Sequence, residues 1–186
     1  MLRIVLAAAV VLLGAVWAVA QVPAVVAGVP RHAPDQLPPS AAEALQRCVE
    51  SMRSTGVTSS APFTAGPSRV RGREIAVVAR SASVALTCTI DGNSITSAHH
   101  EVFGDAALSP SSTVGEPSSG DWFASGVVRA DVARVNVRTG SGQTVTAQVG
   151  NGCFLADLSG VREHGPLRYL LVYQALDARG QVLYER

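Results

Sequence analysis

The chain has no lysine: all of its 15 basic residues are arginines, set against 14 acidic ones. Arg3 lies in the leader discussed below, and the remainder balances to neutral. A neutral chain lacks the basic excess with which nucleic-acid binders displace counterions. It also lacks the polybasic stretch of an electrostatic membrane binder. Cysteine is limited to three positions, 48, 88 and 153, and aromatics make up 5% of the chain. No G-x-S-x-G elbow is present, and no G-x-G-x-x-G or Walker loop joins a strand to a helix. The sequence therefore offers no catalytic residue, metal cluster or cofactor loop, and the expectation is a chain that is not an enzyme, has no cofactor and binds no nucleic acid.

The opening segment is informative. After the short positive start Met1-Leu2-Arg3, residues 4–22 carry no charge. Ala18-Val19-Ala20 fits the small-x-small pattern of a signal cleavage site, with Gln21 next. The same stretch reaches the roughly 17–25 residues that cross hydrocarbon as a helix, and Trp17 suits an interfacial position. Residues 1–22 thus read as a signal peptide or a membrane anchor, and both readings place the rest outside the cytoplasm, secreted or anchored. Residues 23–39 carry prolines at 23, 30, 34, 38 and 39. Proline fixes φ and removes a donor, so this reads as an extended linker of at most about 50 Å. Residues 40–186 remain as a single domain. At about 150 residues such a domain buries roughly 68–70% of its unfolded surface, enough to fold without a metal or disulfide scaffold.

Ser40-Ala41-Ala42-Glu43 is a capping-box pattern. The helix it opens sets Ala42, Leu45, Cys48, Val49 and Met52 on one face at spacings of three and four, with Thr55-Gly56 as its stop. The rest reads as strand and turn. Residues 74–80 form one strand. Val84, Leu86, Cys88 and Ile90 alternate with Ala85, Thr87 and Thr89, the period of a half-buried strand. Asp91-Gly92-Asn93 turns the chain, and residues 95–103 return. Residues 105–120, rich in Ser, Pro and Gly, read as a long surface loop. Strands follow over 132–138, 145–149 and 153–158, the last two joined by Asn151-Gly152, the strongest hairpin dipeptide of the chain. Residues 169–176 suit a central strand and 181–184 a final one. About seven or eight short strands at regular intervals suggest a sandwich or barrel. The fold class is mainly β, with α+β as the alternative.

The three cysteines allow three single pairings. Cys48 lies on the apolar helix face and Cys88 on the inward strand face, so a Cys48–Cys88 disulfide would pin helix to sheet. Cys153 is then a small buried residue, an intermolecular disulfide being the other reading. His99, His100 and Glu101 resemble a metal cluster, yet adjacent strand residues point to opposite faces, so both imidazoles cannot reach one ion. His164, in Arg162-Glu163-His164-Gly165-Pro166, has no nucleophile assigned to it by any motif. Arg69, Arg71, Arg73 and Arg80 form a basic run that reads as a solvated strand flank, with an anionic partner as the minority reading. Trp122 and Phe123 directly follow the expected loop. Exposed, they would be a partner-binding hot spot; buried, they anchor the core.

The second half contains G-V-x-R-A-D-V-A-R-V, G-x-T-V-T-A-x-V-x-N-G-x-F and A-L-D-A-R-G-Q-V. Over roughly residues 126–184 it resembles immunoglobulin-like modules of uncharacterised exported or membrane-anchored actinobacterial proteins. The resemblance implies an immunoglobulin-like β-sandwich, here with one N-terminal amphipathic helix packed on it and a hydrophobic leader helix before it. It carries no site residues across. The expected function is a non-catalytic, exported or membrane-tethered module that binds a protein or cell-envelope component, with loop 105–120 and Trp122-Phe123 as the first candidate surface. The membrane would be met through the leader if it is uncleaved. The alternatives are a small extracellular hydrolase and an extracytoplasmic sensor or accessory subunit of a membrane complex.

Overall fold

The computed structural model describes residues 39–57, 59 and 61–186. The leader expected over residues 1–22 and nearly all of the linker expected over 23–39 lie outside the described residues. Among the described residues no helix is long and apolar enough to cross a membrane.

Among the described residues one helix, α1 (Pro39–Ser54), precedes twelve strands arranged in three antiparallel four-stranded sheets. The first sheet has the order β1 (Thr64–Arg71), β2 (Glu74–Arg80), β3 (Val84–Asp91), β4 (Ser94–Val102). The second is β5 (Leu108–Glu116), β6 (Asp121–Val128), β10 (Cys153–Asp157), β9 (Gln148–Gly150), and the third is β12 (Val182–Glu185), β11 (Leu171–Leu176), β7 (Arg134–Thr139), β8 (Thr144–Thr146). The fold is mainly β, as the sequence implies.

Three apolar clusters order these elements into four layers. α1 lies on one face of the first sheet, where Ala41, Ala44, Cys48 and Met52 meet Val77, Leu86, Cys88 and Ile90. The opposite face of that sheet, through Ala76, Val78 and Ala85, packs on Phe123, Val127, Cys153 and Leu155 of the second sheet. The second sheet's other face, through Trp122, Ala124, Phe154 and Ala156, packs on Val135, Val137, Val145, Tyr173 and Ala175 of the third. Successive residues of β6 and β10 therefore feed different cores, the period-2 alternation of a strand with both faces covered.

Four expectations need correction. The helix stripe runs through residues 41, 44, 48 and 52, and Ala42 is exposed. Seven residues are nearly two full turns at 3.6 per turn, so residue 41 stacks above 48, whereas residue 42 falls to the side. β3 is buried along almost its whole length rather than on one face. Its threonines point into the interlayer space, where the Thr87 and Ser125 hydroxyls lie 2.8 Å apart and satisfy each other.

The stretch 105–120 is not a long loop. β5 occupies most of it, paired with β6 from Leu108↔Val128 to Glu116↔Asp121, and only residues 105–107 and 117–120 lie outside the strand. Pro110 is tolerated because β5 is an edge strand, and the register slips between Pro110 and Ser112. Finally, the expected strand over 145–149 serves two sheets: β8 pairs with β7, Ala147 bonds Val135, and β9 then pairs with β10. The Asn151-Gly152 turn that follows has φ of 50° and 71°, the double left-handed geometry that this dipeptide favours.

Candidate functional site

Cys48 and Cys88 form a disulfide joining α1 to β3, with both residues fully buried. Cys153 is free and buried, and burial pushes its thiol up to about 12, against a small opposing pull from Arg80. A thiol so held is protonated at neutral pH and is no nucleophile. Trp122 and Phe123 are 0% and 1% exposed, so neither ring reaches the surface as a hot spot. The Trp122 indole instead donates to the Val161 carbonyl at 2.7 Å, giving a buried N–H its partner.

His99 and His100 are neighbours on β4, opposite Thr87 and Leu86 respectively, and so point to opposite faces. Among the described residues no group of three His, Cys, Asp or Glu side chains is placed to hold a metal ion.

The basic run is a solvated flank at Arg71 and Arg73, which are exposed, but not at Arg69. Arg69 is buried, and its guanidinium meets Glu74 at 3.1 Å, Asp121 at 2.5 Å and Asp157 at 3.2 Å, while lying 5.4 Å from the Phe123 ring centroid. Arg71 shares Asp121, Arg73 sits 3.5 Å from Asp91, and Arg80 stacks on Phe103. Arg69 and Arg71 neutralise carboxylates where the first and second sheets meet, Arg73 pairs within the first sheet, and Arg80 packs on an aromatic ring.

His164 leads to the surface with the most distinctive construction. It lies in an open groove of about 400 Å³ beside Ser141, Arg162, Glu163 and Leu167. Glu163 is buried and accepts from the Ser141 backbone N–H at 3.2 Å and from its hydroxyl at 2.5 Å. Burial raises the Glu163 pKa, but hydrogen bonds from Ser141 and Thr139 and the neighbouring His164 outweigh it, and the carboxyl stays below its ordinary value. The Ser141 hydroxyl thus donates directly to a carboxylate that is a weak base. That arrangement braces a turn, whereas an activated serine needs a partner ready to take its proton.

The brace holds down a loop. Residues 162–170 form the latter part of the connection from β10 to β11, and they are fixed on two sides. The Glu163 N–H donates to the Pro117 carbonyl at 3.1 Å, and Glu163 itself grips the β7–β8 turn. At the other end the Tyr169 hydroxyl donates to Glu116 at 3.0 Å, and Arg168 lies 3.9 Å from the same carboxylate and 5.1 Å from the Tyr169 ring centroid. Gly140 lets the turn seat against the loop: a Cβ there would stand 2.7 Å from the Leu167 carbonyl oxygen. Between these fixings Leu167, Tyr169 and Leu170 are 59%, 49% and 48% exposed. Clustered exposed apolar side chains mark interaction surfaces, and Arg and Tyr are the residue types that most often anchor them.

The sequence hides this loop because Tyr169 and Leu170 run into an apolar stretch and read as the start of the strand. The available signal was Gly165-Pro166 just before, with Arg168 interrupting the apolar run. Comparison with protein-family models, with curated proteins and with solved structures finds no match for the chain.

Proposed function

We propose that this chain is an exported, non-catalytic β module that binds another protein or a cell-envelope component through loop 162–170. The observation that carries the reading is the exposure of Leu167, Tyr169 and Leu170 on a loop fixed from both sides. A fixed loop has already lost the conformational freedom that binding would otherwise remove, so its contacts are realised as affinity. Export is supported by the uncharged segment 4–22 and by the disulfide, which persists in oxidising compartments. An immunoglobulin-like arrangement of the second and third sheets is the finer structural reading. Their face-to-face core and the passage of the chain between them at Ala147 support it.

The test is capture of cell-envelope material by the full-length chain compared with a Leu167→Ser/Leu170→Ser variant. Both leucines are exposed, so the variant should melt with the parent. Loss of captured species at unchanged melting temperature is the expected result. Equal capture by the two proteins would dispose of the loop as the binding surface.

A further inference from the structure

The outer edge of the first sheet leads to a second surface, independent of loop 162–170. β4 closes that sheet on one side, and among the described residues the backbone hydrogen bonds of Ser97 to Val102 run only to β3. Residues 98–102 are all exposed, Val102 at 74%. A row of unpaired N–H and C=O groups is a template for another strand, which proteins usually guard with lysine, proline or a bulge. β4 has neither lysine nor proline. Its irregularity falls where Thr89↔Ser97 is followed by Ile90↔Ile95, so Thr96 is the extra residue and the stretch beyond it is regular. α1 is fastened at the other end of the strand, where Arg47 donates to the Gly92 carbonyl at 3.3 Å and also to that of Asn93.

We propose that β4 is a self-association edge, on which two copies pair antiparallel about a two-fold axis at His100 to make one eight-stranded sheet. Directly opposed residues of an antiparallel pair share a face, so a symmetric pairing must be centred on a residue opposite itself. Centring on His100 sets His99 opposite the second copy's Glu101, twice over, on one face. On the other face it sets Ala98 opposite the second copy's Val102, covering the most exposed large apolar side chain among the described residues. Centring on Ala98 would put Glu101 against Ile95, and centring on His99 would put it against Ser97. Only the His100 register answers both the charge and the apolar residue.

The experiment is oxidative cross-linking of the full-length chain in cells. The native thiols do not interfere, since Cys48 and Cys88 are bonded and Cys153 is buried. In the His100→Cys chain the new thiols face each other at the roughly 4.5–5.5 Å Cα separation of opposed residues, within disulfide range. In the Ser94→Cys chain they stand about 40 Å apart, from a rise of about 3.4 Å per residue. The expected result is a covalent species of twice the chain mass for His100→Cys and a single-chain species for Ser94→Cys. Absence of the double-mass species, as when a peptide of another protein occupies the edge, overturns the proposal. So does equal cross-linking of both variants. Should His100→Cys melt early, co-expression of Ala98→Cys with Val102→Cys decides the matter: only the mixed pair should bridge, and its failure to do so overturns the proposal equally.

Discussion

Glu163 takes both donors of Ser141, the backbone N–H at 3.2 Å and the hydroxyl at 2.5 Å, across 22 positions of sequence. The carboxylate is therefore worth more to the folded chain than to the unfolded one, where its pKa returns to about 4.5. A group with a depressed folded pKa contributes stability that is fully present above the unfolded value and is lost as pH falls through the folded one. Glu163→Gln keeps one acceptor and the shape but removes the charge. It should lower unfolding stability near neutrality by about 1–2 kcal/mol, the difference between a charged and a neutral hydrogen-bond partner. Urea melts of both proteins should converge as the pH drops below about 4.5. A deficit that persists unchanged at low pH would show that the loss is steric and not electrostatic.

Arg69 answers three carboxylates while itself buried. Removing it strands charges of unequal cost. Asp121 and Glu74 are about half and two-fifths exposed and can rehydrate, whereas Asp157 is 23% exposed. Arg69→Ala should cost about 3 kcal/mol, at the low end for a broken buried pair. Arg69→Lys, which keeps the charge but not the fork, should fall between the two. The check is the chemical-denaturation midpoint of each variant. Equal stability of Arg69→Ala and the parent would mean that the stack on Phe123 and the ion pairs contribute nothing net.

The cysteines separate cleanly. The Cys48–Cys88 bridge spans 40 positions, and the chain-entropy model gives such a loop about 4 kcal/mol. The Cys48→Ala/Cys88→Ala protein should lose about that much stability by denaturant titration. Cys153, with its thiol pushed up to about 12, should resist alkylation in the native chain and react once on unfolding. Rapid native labelling, read by intact mass, would contradict its burial.

Much of the fold was legible, and the reasons are local. β2 reproduces the strand expected over 74–80, and Asn151-Gly152 makes the hairpin its two residues favour. The cysteine pairing followed from a helix face and a strand face that each needed cover. What failed depended on neighbours. β5 reads as loop because Ser, Pro and Gly are poor strand formers, yet β6 pairs with it along its length and Ser111 finds Thr87 across the layer. The burial of both faces of β3 could not be inferred from its alternation of Leu and Thr, since threonine is equally at home facing water or a buried serine.

The candidate loop failed for a different reason. Tyr169 and Leu170 look like the start of a core strand, yet they lie in a loop that Glu116 and the Glu163–Ser141 pair fix in place. Those fixings join residues remote in sequence. No periodicity reports them.

The disulfide also decides how the domain would answer a pull on its amino-terminal side. Tension entering at Pro39 would run along the first turns of α1 to Cys48 and then cross the sulfurs into β3, an inner strand of the first sheet. Residues 49–87 would be bypassed, so the end of α1, β1 and β2 would lie outside the covalent load path while the bridge stands. Stretching would have to shear β3 from its neighbours all at once, which resists force better than peeling an end strand. A reductant would return the bypassed segment to the load path and turn a stiff mount into a compliant one.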